Sequence, residues 1–447
     1  MNYLQRSNNY QFNNIPGDWG LPIFGSGLGL VRDLLDVTRR RVHRYGEISR
    51  VQLGPERGLL VVGADNYKTI FTDPQQRFSA RMGYLTQLGR FYEGGLLLRD
   101  ADDHKSQRRI MQQAFKFPVL QGYLPRLETL LVNQLESWPK RQELVFYEHI
   151  KAALLEVGSH IFLGVDDFGD EASLLSHAFL DIAAGLGSIL PWNFPGSAVR
   201  RGLKGRDTLH AYIVSKIDER RSGSGTDLFS QLAQATSEEG AMFSDEELCQ
   251  HVSFLLFAAH DTTTSLLCHA MMYLGLHPDW QTRLRDECQT LGITKLEWSS
   301  RDQLPLMHQV LEEVMRLHPP VPVMTRRTTV DLELGGCAIP ADSVLYLPTA
   351  YNQRDSRYWQ DPDQFDPTRF SEARAEHKQH SFCFHPFGGG AHKCLGMHFA
   401  YLLAKVFLYH CLRGYQIKLG SNEMPPLDWI PIPKPANGLP LTLEPLL

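Results

Sequence analysis

The sequence predicts a mainly α-helical fold with a minor β component. Three observations carry this expectation. One long apolar stretch between 244 and 278 is bounded by helix start and stop signals. Several shorter segments have apolar residues at helical spacing. Strand-like runs are few and fall toward both ends of the chain. The chain has 447 residues, 43% hydrophobic and 21% charged, an ordinary globular composition. That length allows two or three domains, although large single-domain enzymes also reach it.

Taken in order, residues 15–29 hold Pro and Gly in loop spacing and predict an irregular segment. ISRVQLGPERGLLVVG (48–63) reads as two short strands around a turn at Gly54-Pro55. Segments 103–115, 123–138 and 209–221 are amphipathic helices by period, and SGSGTD (222–227) is a loop. Ser244 is a helix N-cap with Glu247 three residues on, the pattern of a capping box. The helix it opens is apolar nearly all round, as expected of one running through the interior, and His277-Pro278 ends it. A further helix covers 304–318 and stops before Pro319-Pro320. Strand-like DLELGG and SVLYLPTAY follow, then a loop-rich stretch, a last helix over 398–412, and a Pro-rich tail ending in LPLTLEPL. No repeat, P-loop or dinucleotide-binding glycine pattern occurs.

A net charge of −5 gives no general basic field for nucleic acid. The seven cysteines are irregularly spaced and include no CxxC pair, which argues against a disulfide framework or four-cysteine zinc site and fits a reducing compartment. The N-terminus is polar and rich in Asn and Gln, without the apolar core of a signal peptide. No run approaching ~18 apolar residues is read. These features predict a soluble, cytoplasmic protein without a transmembrane segment.

The most informative stretch is Phe387-Gly-Gly-Gly-Ala-His-Lys-Cys394-Leu-Gly396. Glycines let a backbone approach a flat cofactor and turn its N–H groups toward a sulfur. A following helix N-terminus favours the thiolate anion. A buried structural cysteine beside a flexible turn is the simpler reading of a lone Cys near Gly. The full pattern F-x-x-G-x-x-x-C-x-G is sharper: at this chain's composition its chance count is on the order of 10⁻³.

This pattern resembles the haem-thiolate signature of the cytochrome P-450 family, and companion motifs follow in family order. Glu313-Val-Met-Arg316 matches the ExxR pair, and Arg369 sits in a PxRF segment between it and the cysteine. Alone, the pair at spacing three reads as an exposed ion pair. The resemblance implies instead a buried structural triad of Glu313, Arg316 and Arg369. Ala258-Ala259-His260-Asp261-Thr262 resembles the oxygen-activation motif (A/G)GxDT, with Ala259 where Gly is usual. Without the resemblance, Thr262 would bond back to a preceding carbonyl and Asp261 would face water. With it, the helix opens locally, and Asp261 and Thr262 carry protons to bound oxygen.

The resemblance runs over essentially the whole chain and implies the rest of the reading. The fold is a single domain over 1–447, a triangular helical prism with a smaller β-rich region. The β-rich part comes mainly from 40–80 and 320–350 plus the C-terminal tail, and the helical part from 100–318 and 395–413. Haem b lies between the long central helix and the cysteine-loop helix, with Cys394 as axial iron ligand and O2 as co-substrate. His104 and Arg108, at helical spacing of four, match the family's W/HxxxR pattern. Together with Arg326 and His392 they are the expected partners of the haem propionates. Arg327 adjoins Arg326, so this register has two settings. Phe387, Gly388, Gly396 and Ala258 are expected against the cofactor. A substrate pocket is expected from the 81–92 loop, Phe257, Ala259, Val321, Val323, Met324 and Ile432. Its apolar character suits a lipophilic substrate.

The expected activity is hydroxylation of such a substrate. Electrons come from a separate ferredoxin or flavodoxin with its reductase, docking near Lys105, Arg109 and Lys393, and the protein acts as a monomer. The segment EEVMRLHPPVPVMTRRTTVDLELGGCAIP is similar to retinoic-acid and sterol hydroxylating members. Without a membrane anchor, the chain resembles a soluble cyanobacterial retinoid-hydroxylating member. Retinoic acid or a related apocarotenoid is the first substrate expectation. A fatty-acid or sterol hydroxylase, a peroxygenase, or a haem-thiolate binding protein without turnover are the alternatives.

Overall fold

The computed structural model describes residues 12–21, 25–165, 169–188 and 192–446. The polar N-terminal stretch up to residue 11 and part of the 15–29 segment therefore lie outside the described residues. The chain divides into two compact units, each built from three separate stretches: Met1–Tyr84, Glu312–Cys394 and Asp428–Pro433 in the first, and Leu85–Leu311, Leu395–Leu427 and Lys434–Leu447 in the second. Two helices, Ala80–Tyr92 and Pro305–Leu317, carry the chain across the division.

The first unit is organised on a five-stranded sheet. The strands Ile48–Leu53 and Glu56–Val61 form the expected hairpin, turning at Gly54 with φ of 60°. Glu56–Val61 pairs in parallel with Val344–Leu347. That strand pairs antiparallel with Met324–Thr328, and Phe78–Ser79 closes the order. Side chains alternate across the pleat. Leu59, Val61, Leu345 and Leu347 join one apolar cluster with Tyr67 and Phe71. Leu60, Val62, Val344 and Tyr346 join another with Val51.

The second unit is helical. Its long helix spans Asp245–Leu276 without interruption, and the Ser244–Glu247 capping box is present in both directions. The helices Asp170–Leu186 and Ala198–Ser222 pack closely, because Gly205 leaves room that a Cβ would fill at 2.4 Å from the carbonyl oxygen of Ala178. A small antiparallel sheet joins Glu143–Val145, Pro440–Pro445 and Tyr415–Leu419. The strand of the C-terminal tail thus belongs to the helical unit, not to the β-rich part.

Three further expectations are corrected. Residues 81–92 are not a loop but most of the helix Ala80–Tyr92, whose Gly83 and Gly89 blur its pattern in sequence. Helices Leu34–Tyr45 and Ala64–Phe71 lie in the first unit, outside the expected helical part. The stretch Gly390–Gly414 is long and apolar enough to cross a membrane by length and composition, although 61% of its apolar 18-residue window is buried in the structure, as in a core helix. The helix Phe146–Phe162 is not legible as a periodic segment, because its second half is buried nearly all round.

Candidate active site

In the first unit the cysteine loop is shaped by its glycines. Gly388 and Gly390 have φ of 69° and 60°, and a Cβ on Gly390 would fall 1.7 Å from the carbonyl oxygen of Phe71. No other residue fits there. The loop closes where the Cys394 N–H donates to the Phe387 carbonyl at 2.9 Å. Gly396, two residues on, is the N-cap of the helix Met397–Gly414.

The other cysteines differ from Cys394 in exposure. Five are buried and Cys337 is half-buried, whereas Cys394 is exposed. Burial pushes the thiols of Cys249, Cys288 and Cys411 up to about 12. Those three are held as neutral thiols at physiological pH. Cys394 is the cysteine whose sulfur another group can approach.

The two settings of the arginine register separate on the strand Met324–Thr328, where neighbours point to opposite faces. Arg327 meets Asp342 at 2.6 Å and Glu56 at 3.5 Å. Arg326 is buried, lies over the Phe71 ring at 4.9 Å and donates to the Thr325 carbonyl. Arg327 is thus the one of the two that meets these carboxylates. The pocket residues of this unit also divide. Val321 packs against the cluster containing Met324, while Val323 packs against the Val51 and Leu60 cluster; Ile432 is half-buried. Phe387, Gly388 and His392 are half-buried.

Glu313, Arg316 and Arg369 do come together, with side chains at most 1% exposed. Arg316 donates twice to Glu313, at 2.6 and 2.8 Å, and Arg369 Nε donates to the same carboxylate at 3.3 Å. Their remaining N–H groups reach the carbonyls of Gln353, Pro362, Gln364 and Asp361. Glu376 was not legible in sequence. It accepts from Arg369 at 3.2 Å and also pairs with the partly exposed Arg374, so it links the buried cluster to the surface.

In the second unit the candidate residues cluster along the long helix. From Leu248 to Leu274 every residue is buried except Gln250 and the group Phe257, Ala258, Ala259, Asp261 and Thr262. The middle of this buried helix thus carries a short, partly exposed stretch. Tyr92 stacks on Phe257 at 4.6 Å and meets Phe254 edge-on.

The helix does not open at this point. Thr262 Oγ1 donates to the Ala258 carbonyl at 2.7 Å, as a threonine in an intact helix does. Asp261 does not simply face water. Its side chain is 21% exposed, and Oδ1 lies 2.9 Å from Nδ1 of the buried His260. Burial pushes the Asp261 carboxyl up, but the His260 contact and the charges of His260, Lys151 and Lys434 outweigh it. The carboxyl is held below its ordinary value. Sequence reasoning passed over His260, although its place between the small residues and the acid was visible.

His104 and Arg108 lie on the helix Ala101–Met111, His104 buried and Arg108 half-buried. Gln107 of the same helix donates to Glu247 at 2.6 Å and accepts from His251 Nε2 at 2.8 Å. That network ties this helix to the start of the long one. Lys105, Arg109 and Lys393 are exposed, and Arg109 faces Glu238 at 3.9 Å.

Within the first unit the residues present fit a flat, sulfur-ligated cofactor. One accessible cysteine follows a loop whose backbone carries no side chains at its tightest point. In the second unit, a partly exposed stretch interrupts an otherwise buried helix. The cytochrome P-450 family model matches residues 15–438. A putative cytochrome P-450 136 of Mycobacterium tuberculosis is 33% identical over 436 residues, covering 96% of this chain and 88% of that protein. Cytochrome P-450 26A1 of Gallus gallus is 30% identical over 446 residues, covering 95% and 89%. A solved cyanobacterial CYP120A1 with retinoic acid bound aligns with a TM-score of 0.88 at 29% identity, covering 97% of this chain and 99% of that one.

Proposed function

This chain belongs to the cytochrome P-450 family, and from that premise we propose that it hydroxylates retinoic acid or a closely related apocarotenoid. The coarser activity comes with the family: it is a haem b monooxygenase, an oxidoreductase that uses O2 as co-substrate. The single observation that carries the substrate reading is the solved relative that holds retinoic acid. The apolar surface of Phe257, Ala258 and Ala259, backed by Tyr92 and Phe254, is in keeping with a lipophilic ligand.

When bound, haem supplies oxygen activation and insertion of one oxygen atom into a C–H bond. Cys394 provides the anionic sulfur. In the first unit, Arg326 and His392 would be hydrogen-bonding and cationic partners for haem propionates, and Phe387 and Gly388 would line the cofactor. In the second unit, taken by itself, His104 and Arg108 would be the propionate partners, and Gly396 and Ala258 the lining residues. Asp261 holds and passes protons. Thr262, whose hydrogen is given to the Ala258 carbonyl, offers its oxygen lone pairs to a water that relays them. Val321, Met324 and Ile432 bound the substrate side. Val323, packed against the Val51 cluster, is left out of that set. Electrons arrive from a separate ferredoxin or flavodoxin drawn to the lysine and arginine surface, and the enzyme works as a soluble cytoplasmic monomer.

Two spectra test this. The reduced protein with carbon monoxide gives the thiolate-type band, and Cys394→Ala loses it. Titration with retinoids, sterols and fatty acids side by side gives a haem spectral shift at the lowest concentration with retinoids. A stronger response to sterols or fatty acids moves the substrate assignment to that class, and no retinoid response at saturation removes it.

A further inference from the structure

The two nitrogens of His260 face two acceptors. Nε2 lies 2.9 Å from the backbone carbonyl oxygen of Lys151, which can only accept, so Nε2 carries a hydrogen. Nδ1 lies 2.9 Å from Oδ1 of Asp261. A neutral imidazole with its hydrogen on Nε2 presents a lone pair at Nδ1, and a lone pair facing a carboxylate oxygen is repulsive. The contact is a hydrogen bond only if one further proton lies between the two atoms. We infer that His260 and Asp261 form a proton-holding couple, with His260 the positioning residue that keeps Asp261 loaded for proton delivery. This rests on the reading of Asp261 as the acid of the oxygen-activation motif.

The surroundings fit a couple built to hold that proton. His260 is buried, and Phe179 packs edge-on against its ring at 4.9 Å. The Lys151 carbonyl fixes the ring from the other side. A histidine cation and an aspartate anion in contact are neutral together, which lowers the cost of placing either in an apolar helix. Lys151 and Lys434 are the cations whose charge acts on Asp261, and Tyr92 and Tyr147 are the phenols that feel its charge. The Lys151 carbonyl keeps Nε2 as the donor, which leaves Nδ1 to share the further proton with Oδ1.

Delivery then balances. The Nδ1–H bond breaks as an Oδ1–H bond forms. Rotation about Cβ–Cγ turns that hydrogen outward, and its donation leaves neutral imidazole and carboxylate. A proton returning from solvent water restores Nδ1–H.

The direct test is proton and nitrogen resonance of histidine-labelled holoenzyme in its diamagnetic reduced carbon monoxide form. Expected is one exchange-protected, strongly downfield imidazole proton at neutral pH, absent in His260→Gln and in Asp261→Asn. If His260 shows only its Nε2 hydrogen, the couple is overturned. The second readout is the share of consumed electrons lost as hydrogen peroxide, measured with a surrogate ferredoxin system and retinoic acid. His260→Gln, whose amide can still donate to the Lys151 carbonyl, lowers coupled turnover roughly tenfold with its carbon monoxide band unchanged. If Asp261→Asn uncouples and His260→Gln does not, the role of His260 falls while the acid assignment stands. If Asp261→Asn does not uncouple either, the acid assignment itself falls, and this inference with it.

Discussion

Two buried polar centres of the molecule are built on opposite rules. The Glu313–Arg316–Arg369–Glu376 cluster in the first unit is sealed, its carboxylates paired with guanidiniums whose remaining hydrogens reach protein oxygens. The His260–Asp261–Thr262 group in the second is left ajar. It sits on the one accessible stretch of a buried helix, with an acid that is partly exposed. Full satisfaction makes a group rigid and chemically inert. Incomplete enclosure leaves it able to exchange a proton. The difference separates a brace from a reaction centre, although both are ionisable clusters in a helical protein.

The largest effect should come from breaking the sealed cluster. Glu313→Gln leaves two buried guanidiniums facing one carboxylate and should cost about 3–5 kcal/mol. Urea unfolding, or failure to recover folded protein, measures it. A loss below about 1 kcal/mol would mean the cluster is not a brace.

Asp261→Asn reverses the balance. Coupled turnover should fall about a hundredfold, while the urea midpoint at pH 7 moves far less than for Glu313→Gln. The acid side gives a further check. A carboxyl whose folded value lies below its unfolded one adds stability that is present above the ordinary value of 3.8 and is lost as pH falls through the lower folded value. Wild type and Asp261→Asn should therefore converge in stability only below that range. Convergence beginning near neutral pH would contradict the shift.

Buried histidines sharpen the comparison from the other sign. His385 packs against the rings of Tyr67, Phe71 and Phe382, and neither ring nitrogen has a hydrogen-bond partner. Burial pushes it down to about 3. Such a neutral group contributes stability that is intact above the ordinary value of 6.5 and erodes as pH falls toward 3. His385→Phe should flatten the fall in unfolding midpoint between pH 6.5 and 4. An unchanged slope would show that His385 is not the titrating group.

The smallest effect is at Ala259. Ala259→Gly restores the residue usual in the family and should lower stability by about 1 kcal/mol through helix propensity. Because the helix is continuous here, the haem-to-oxygen chemistry should change little. A large gain in turnover would mean that the Ala259 methyl obstructs the site.

What the sequence determined alone was whatever depends on local chemistry. The hairpin at Gly54, the capping box at Ser244, the limits of the long helix and the glycine-shaped loop before Cys394 are dictated by residues a few positions apart. Motif order was enough to pair Glu313 and Arg316 with the distant Arg369. Tertiary structure decided what depends on enclosure. It made a helix of 80–92, where glycines hid the period, and placed the tail strand beside Glu143–Val145. It added Glu376 to the charge cluster, paired Arg327 with Glu56 and Asp342, and turned His260 toward both Asp261 and the Lys151 carbonyl. Burial and hydrogen-bond partnership belong to segments far apart in the chain. No spacing rule encodes them, and they separate a titrating group from an inert one.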